Sequence, residues 1–223
     1  YLTNDFSSLD HDEKGHVRIV ANTTAVTEFM PEVLARFLSS RPKVTIDLQE
    51  RLTQDIIRSV HNGTADLGIV SGEMSDSGLE VIRFSTDRLM LAAPADHALA
   101  SRKLLSFSET LAFEHISLHE GSTLLAFLRS LLQEHGFDRT LRVKVRSFEA
   151  MCRMIEAGVG IGVVPESAAR RHAHTMNLAL ITLNEPWALR ERAVLARAVD
   201  ALPKAARALT AELVKHGAGG AVG

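Results

Sequence analysis

GHVRIVANTTAVTEFMPEVLARF, residues 15–37, changes its hydrophobic period part-way along, and that change decides the fold class. Over residues 16–21, Val17, Ile19 and Ala21 fall on one side and Val20 on the other, the alternation of a strand with both faces buried. From Ala25 the spacing becomes helical. Val26, Phe29, Met30, Val33, Leu34, Phe37 and Leu38 cover roughly half of the helical circumference, more than the ~100° stripe of an ordinary surface helix. The excess predicts that this helix packs on its own sheet and on something else. Pro31 falls inside the pattern, where it is expected to kink the helix start.

The same alternation of periods continues outward. Residues 44–50 place Val44, Ile46 and Leu48 opposite Thr45, Asp47 and Gln49, a second strand. Thr53 is the expected N-cap of a helix through Ile56, Ile57 and Val60, which Asn62-Gly63 stops. Residues 66–71, DLGIVS, form a short apolar strand. Strand–helix–strand–helix–strand order implies parallel pairing with helices on both faces. Further on, residues 79–84 precede an apolar strand at 88–93, and strands follow at 114–118, 141–145, 158–164, 178–183 and 191–196. Between them lie a Leu-rich helix from Leu124 to Leu132 ended by Gly136, helices at 148–157 and through Arg170, and a last helix from near Pro203.

Composition narrows the function. With 223 residues, 46% apolar and 23% charged, the chain is long enough for two lobes. A net charge of −2 argues against nucleic-acid binding by this chain alone, since phosphate contact needs a basic face. No apolar run reaches a membrane span and no signal peptide is visible, so a cytoplasmic location without membrane contact is the default expectation. Cys152 is the single cysteine, which excludes an internal disulfide and a thiolate zinc cluster; its apolar neighbours predict helix packing. Asp10-His11-Asp12-Glu13 has the residue types to hold a metal but lies in the expected linker remnant, and the His172/His174 pair, on an expected surface turn, lacks an accompanying carboxylate or cysteine. No cofactor is expected.

Four segments in order, GHVRIVANTTAVTEFMPEVLARFLSSRPKVTIDLQE (15–50), NGTADLGIV (62–70), LMLAAPADHALA (89–100) and EAGVGIGVVPES (156–167), resemble the effector-binding domain of LysR-type transcriptional regulators. The likeness runs from Gly15 to His216. It implies an α/β fold similar to type 2 periplasmic binding proteins: two Rossmann-like lobes joined by two crossover strands, with a ligand cleft between them. On that analogy lobe I is 15–87 plus 187–216 and lobe II is 88–186, with 1–14 the remnant of a linker helix, while the small, Gly-rich composition of 217–223 predicts a disordered tail. The family's N-terminal winged helix-turn-helix is absent from these residues, so DNA binding would belong to the full-length protein.

In open α/β sheets a ligand sits beyond the carboxyl ends of the strands, where helix N-termini present unpaired N–H groups. Asn22, Thr23 and Thr24 lie at such a place, and ligand contact and simple capping both suit them. Thr53 and Ser71-Gly72 hold the corresponding places after the second and third strands, where ordinary turn chemistry is the alternative. In the second lobe, His119, Ser122 and Thr123 precede the Leu-rich helix; His119 is a candidate for anion contact or pH sensing, or simply a solvated loop residue. Gly158, Gly160 and Gly162 imitate a dinucleotide fingerprint in the wrong order, after a helix and before a strand. Close approach at a cleft floor, with Phe148, Val163 and Val164 as lining, or tight strand packing explains them.

The expected function is therefore small-molecule sensing by a non-enzymatic domain. A solute-binding transport protein is the alternative, and an enzyme ranks third because no matched acid–base pair is visible. The ligand is expected to carry a carboxylate, with Arg51 and Arg146 as possible countercharges. Wide apolar arcs on helices 25–38 and 124–135 predict a homodimer through those helices, with a tetramer as a further assembly of the full-length protein.

Overall fold

β1 (Gly15–Ala21) divides its side chains as the alternation requires. Val17, Ile19 and Ala21 enter one apolar cluster of buried residues, and Val20 enters another on the opposite face of the sheet. This is a computed structural model, describing residues 14–72, 78–136 and 141–219. The acidic cluster at 10–13, nearly all of the expected linker remnant and residues 220–223 of the expected tail lie outside the described residues.

The chain divides into two compact units, Tyr1–Ser85 with Glu191–Gly223, and Thr86–Arg190. In the first, β2 (Val44–Glu50) and β3 (Leu67–Ser71) flank β1 in parallel, and β10 (Leu189–Ala196) joins β3 antiparallel. Helix α1 (Met30–Ser39) and α6 (Lys204–Gly219) cover one face through Met30, Val33, Phe37, Leu209 and Leu213. Helix α2 (Thr53–His61) covers the other through Ile56 and Val60. Each such side chain contributes about 1.5–3 kcal/mol on burial. Gly68 permits the close seat of α2, since a Cβ there would meet the Ile56 and Val60 side chains. The wide apolar arc of α1 has its second partner in α6, to which Arg36 also reaches through Glu212 (3.5 Å) and His216 Nδ1 (2.8 Å).

The helix start departs from the expected simple kink. Residues 25–29 form a π-helical turn, with Met30 N–H donating to the Ala25 carbonyl. Pro31 sits in the first turn of α1, where its missing N–H is tolerated, and Phe29, the residue before α1, leaves helical geometry at φ −132°. A second departure is Thr53. It is not the N-cap of α2 but its first residue; Leu52 takes the extended cap position, and no side chain caps the helix.

In the second unit, β4 (Glu80–Pro94) pairs with β8 (Gly162–Pro165) and with β9 (Leu178–Leu183), β9 pairs with β5 (Leu104–Leu105), and β6 (Ile116–Leu118) pairs with β7 (Val143–Val145). β4 is one 15-residue strand, not separate segments at 79–84 and 88–93. The polar residues at 85–88 that suggest a break lie where the strand leaves the first unit. β4 and β10 are thus the two crossover strands, with crossings at 85/86 and 190/191.

Helices α3 (Thr123–Glu134), α4 (Phe148–Glu156) and α5 (Glu166–Ala173) complete this unit. Leu124, Leu125, Leu128, Leu131 and Leu132 are all buried in its core, so the apolar arc of α3 is consumed by the unit's own packing. Cys152 is buried on α4. His172 lies in the last turn of α5 and half-buried, not on a surface turn. Helix α6 includes residues 217–219, which the Gly-rich composition had assigned to the tail.

Candidate functional site

The loop from β1 into the π turn is built around Asn22, which is 4% exposed. Its Oδ1 accepts the Ala25 N–H at 2.9 Å and its carbonyl accepts that of Val26 at 3.1 Å. That leaves the N–H groups of Thr23 and Thr24 at the open end of the helix. The Asn22 amide Nδ2 donates to Ser71 Oγ at 3.0 Å, joining two candidates that lie 49 residues apart. Gly72 follows with φ +95°, and its N–H donates to the Glu191 carbonyl at 2.8 Å.

Thr23 is buried, and its hydroxyl donates to Glu50 Oε1 at 2.6 Å. Glu50 thereby joins the candidate site, a residue that the sequence reading missed. A signal was present, for Glu50 ends β2 in register with Ala21, at the same carboxyl edge. Thr24 differs from its neighbours. It is half-buried, and its hydroxyl makes no hydrogen bond among the described residues. The same holds for Thr53. Capping and availability are therefore divided: Asn22 organises the loop, Thr23 is held by Glu50, and Thr24 presents an unused hydroxyl beside open N–H groups.

In the second unit the loop from β6 to α3 has a comparable division. Ser122, 1% exposed, caps α3 by accepting the Leu125 N–H at 3.1 Å. His119 is half-buried; its carbonyl accepts the Ser122 N–H, and its Nδ1 meets the Glu120 carbonyl at 2.7 Å. Gly121 takes φ +88° to make the turn. Thr123 is half-buried, and its hydroxyl makes no hydrogen bond among the described residues. Glu120 braces the loop, accepting from both terminal guanidinium nitrogens of Arg129 (2.7 and 2.6 Å) and from Lys144 (2.6 Å). Hydrogen bonds from Arg129 and then Lys144 hold its carboxyl at about 2, well below the ordinary range.

Three other candidates lie in the core. Phe148, Gly162 and Val163 are core residues with almost no exposed surface. A Cβ at Gly162 would meet the Met151 side chain and the Ile116 carbonyl, and one at Gly160 would meet the Glu114 carbonyl. The protein's own α4 and the β6 segment, not a ligand, require these glycines. Gly158, at φ +78°, ends α4: its N–H donates to Ile155 and that of Val159 to Met154.

The proposed countercharges also stand apart. The Arg51 guanidinium donates to Gln49 Oε1 at 2.6 Å and to the Glu50 carbonyl at 2.9 Å. It borders a groove of about 290 Å³ with Arg18, Asp47, Gln49, Ser59 and Thr64, which none of residues 22–24 lines. Arg146 is exposed just beyond β7. Among the described residues, no group of three His, Cys, Asp or Glu side chains could hold a metal, and no helix is long and apolar enough to cross a membrane.

Comparison with known proteins agrees with this architecture. The family described as the LysR substrate binding domain matches residues 10–218. The HTH-type transcriptional regulator CysL of Bacillus subtilis is 25% identical over 174 residues, covering 78% of this chain and 58% of CysL. A probable RuBisCO transcriptional regulator of Trieres chinensis is 25% identical over 187 residues, covering 80% of this chain and 60% of the relative. The chain thus spans less than two thirds of the length of these relatives. Among solved structures, the regulatory domain of Synechocystis PCC6803 CcmR in complex with 2-PG superposes with a TM-score of 0.77 at 24% identity, covering 92% of this chain and 98% of that one. The effector-binding domain of QuiR in complex with shikimate gives 0.72 at 20% identity, covering 93% and 99%. These relatives are transcriptional regulators, which disfavours the solute-transport alternative. The fold is that of the type 2 periplasmic-binding-protein-like effector domains, and the chain belongs to the LysR substrate binding domain family.

Proposed function

We propose that this chain senses a small carboxylate-bearing metabolite and that Thr24 is a principal contact. The observation that carries this reading is the unused Thr24 hydroxyl beside the open N–H groups of Thr23 and Thr24, at the carboxyl edge of β1. Such an edge favours anions through the aligned peptide dipoles and supplies donors in a fixed geometry. Solved relatives described with shikimate, 2-PG and benzoate support an acid as ligand. Thr53, Ser71 and Gly72 supply further polar contacts, and in the second unit Thr123 and His119 supply others. Ligand binding acts as a switch only where one arrangement of the protein binds more tightly than another.

The chain works as a cytoplasmic, non-enzymatic, homodimeric module without a cofactor. The full-length protein binds DNA through an N-terminal winged helix-turn-helix. A thermal-shift screen of organic acids that includes shikimate, benzoate and 2-PG tests the ligand claim. At one hundred times Kd a ligand adds about 2.7 kcal/mol of stability, well within reach of such a screen. The expected result is at least one acid that raises Tm and loses most of that effect in Thr24→Ala. A screen without an acid hit, or a hit indifferent to the substitution, overturns the reading.

A further inference from the structure

A closed ring of contacts ties the candidate effector loop to both crossover strands. Its first link is Asn22 Nδ2 to Ser71 Oγ. Ser71 faces Arg192 in the antiparallel register of β3 and β10. The Arg192 guanidinium lies over the ring of Phe29, 4.6 Å from its centroid. Phe29 ends the π turn that Asn22 itself caps, which closes the ring.

Phe29 and Arg192 are 3% and 9% exposed, so neither can move without displacing its neighbours. The Phe29 ring also meets Phe84 edge-on at 5.7 Å and stacks with His216 at 6.3 Å. Phe84 is two residues before the first residue of the second unit on β4, and Arg192 is two residues after the last on β10. One ring therefore touches both strands beside their crossings. The Phe84 backbone is hemmed in as well, because α6 brings Gly217 so close that a Cβ there would overlap the Phe84 carbonyl. Near the same boundary, Arg83 of β4 pairs with Glu191 of β10 at 2.7 Å.

The π turn lies within this linkage. A π turn holds one residue more than the α-helical path needs, so losing it would rotate residues 25–29 by roughly 100° about the helix axis. Phe29 is the last residue of that turn, so such a rotation would change its seat against Arg192 and Phe84.

We propose that Phe29 and Arg192 are positioning residues that transmit the state of the loop at 22–24 to β4 and β10. This rests on the reading that the loop contacts the effector. The test needs no effector, so the two claims fail separately. Asn22→Ala serves as the perturbation, and amide hydrogen exchange is read by mass spectrometry over 80–94 and 189–196. Asn22→Ala is expected to speed exchange next to both crossings on the order of two- to thirty-fold, the size of an ordinary coupling. In Phe29→Leu or Arg192→Lys backgrounds, where stacking is lost, the added effect of Asn22→Ala should largely vanish. Arg192→Lys keeps the charge and serves as the second background should Phe29→Leu fail to fold. An undiminished response in Arg192→Lys, or a response confined to residues 22–26, overturns the proposal.

Discussion

Gly162 and Met151 are packed so closely that a Cβ on the glycine would overlap the terminal methyl of the methionine. Gly162→Ala would also press on the Ile116 carbonyl at 3.0 Å and Ile155 Cδ1 at 3.2 Å. Overpacking of this kind costs about 1–3 kcal/mol. Gly160→Ala should cost more, because its nearest obstacle is the backbone carbonyl of Glu114 at 2.5 Å, which cannot swing aside as a methionine can. Urea denaturation of the two variants gives the order directly. Equal or negligible losses would contradict the packing account and return these glycines to the ligand site.

That pair also marks the limit of what the sequence discloses. A glycine announces that something comes close; it does not say what. Strand and helix periods were legible because they depend on neighbours a few residues away, as Val17, Ile19 and Ala21 on β1 demonstrate. The continuity of β4 was hidden by polar residues at its crossing, where burial on both faces is not required. Within the site, Asn22, Thr23 and Thr24 stood out from their position after a strand. Which of them has an unused hydrogen-bonding group depended on Ser71 and Glu50, 49 and 27 residues away.

Ser122 and Thr53 make the difference between a cap and a cap-like residue measurable. Ser122 Oγ accepts the Leu125 N–H, so Ser122→Ala should destabilise the chain by about 1 kcal/mol. Thr53 caps nothing, and Thr53→Ala should stay within about 0.5 kcal/mol of the parent. Denaturant midpoints compared at constant m-value decide the matter. A loss at Thr53 as large as at Ser122 would mean that the Thr53 hydroxyl holds α2 after all.

Glu120 predicts an acid dependence whose sign is fixed. Its carboxyl, near 4.5 when unperturbed, is held at about 2 by hydrogen bonds from Arg129 and Lys144. A depressed folded-state value means the unfolded chain takes up the proton first, so the contribution is fully present above about pH 4.5 and disappears as pH falls toward 2. Because the group is exposed, salt screens the effect and it is modest in size. Subtracting the Tm-against-pH curve of Glu120→Gln from that of the parent should give a difference that shrinks across this window. A difference independent of pH there would show that Glu120 braces the loop without its charge.

Helices α1 and α3 carry similar apolar arcs, yet their residues are spent differently, and this separates two outcomes for the proposed homodimer. Leu128 is 1% exposed in the core of its own unit, where Leu124, Leu125, Leu131 and Leu132 are buried with it. Leu34 and Leu38 on α1 are only partly buried against theirs. A glutamate at Leu128 would be forced into an apolar interior and should unfold the unit. A glutamate at Leu34 meets solvent in an isolated chain and should leave the fold intact while disrupting a subunit contact. Sedimentation velocity at tens of micromolar, with circular dichroism as the control, distinguishes these effects. The expected pattern is a dimer for the parent, a folded monomer for Leu34→Glu and lost structure for Leu128→Glu. A parent already monomeric, or a Leu34→Glu variant that stays dimeric, would remove α1 from the interface.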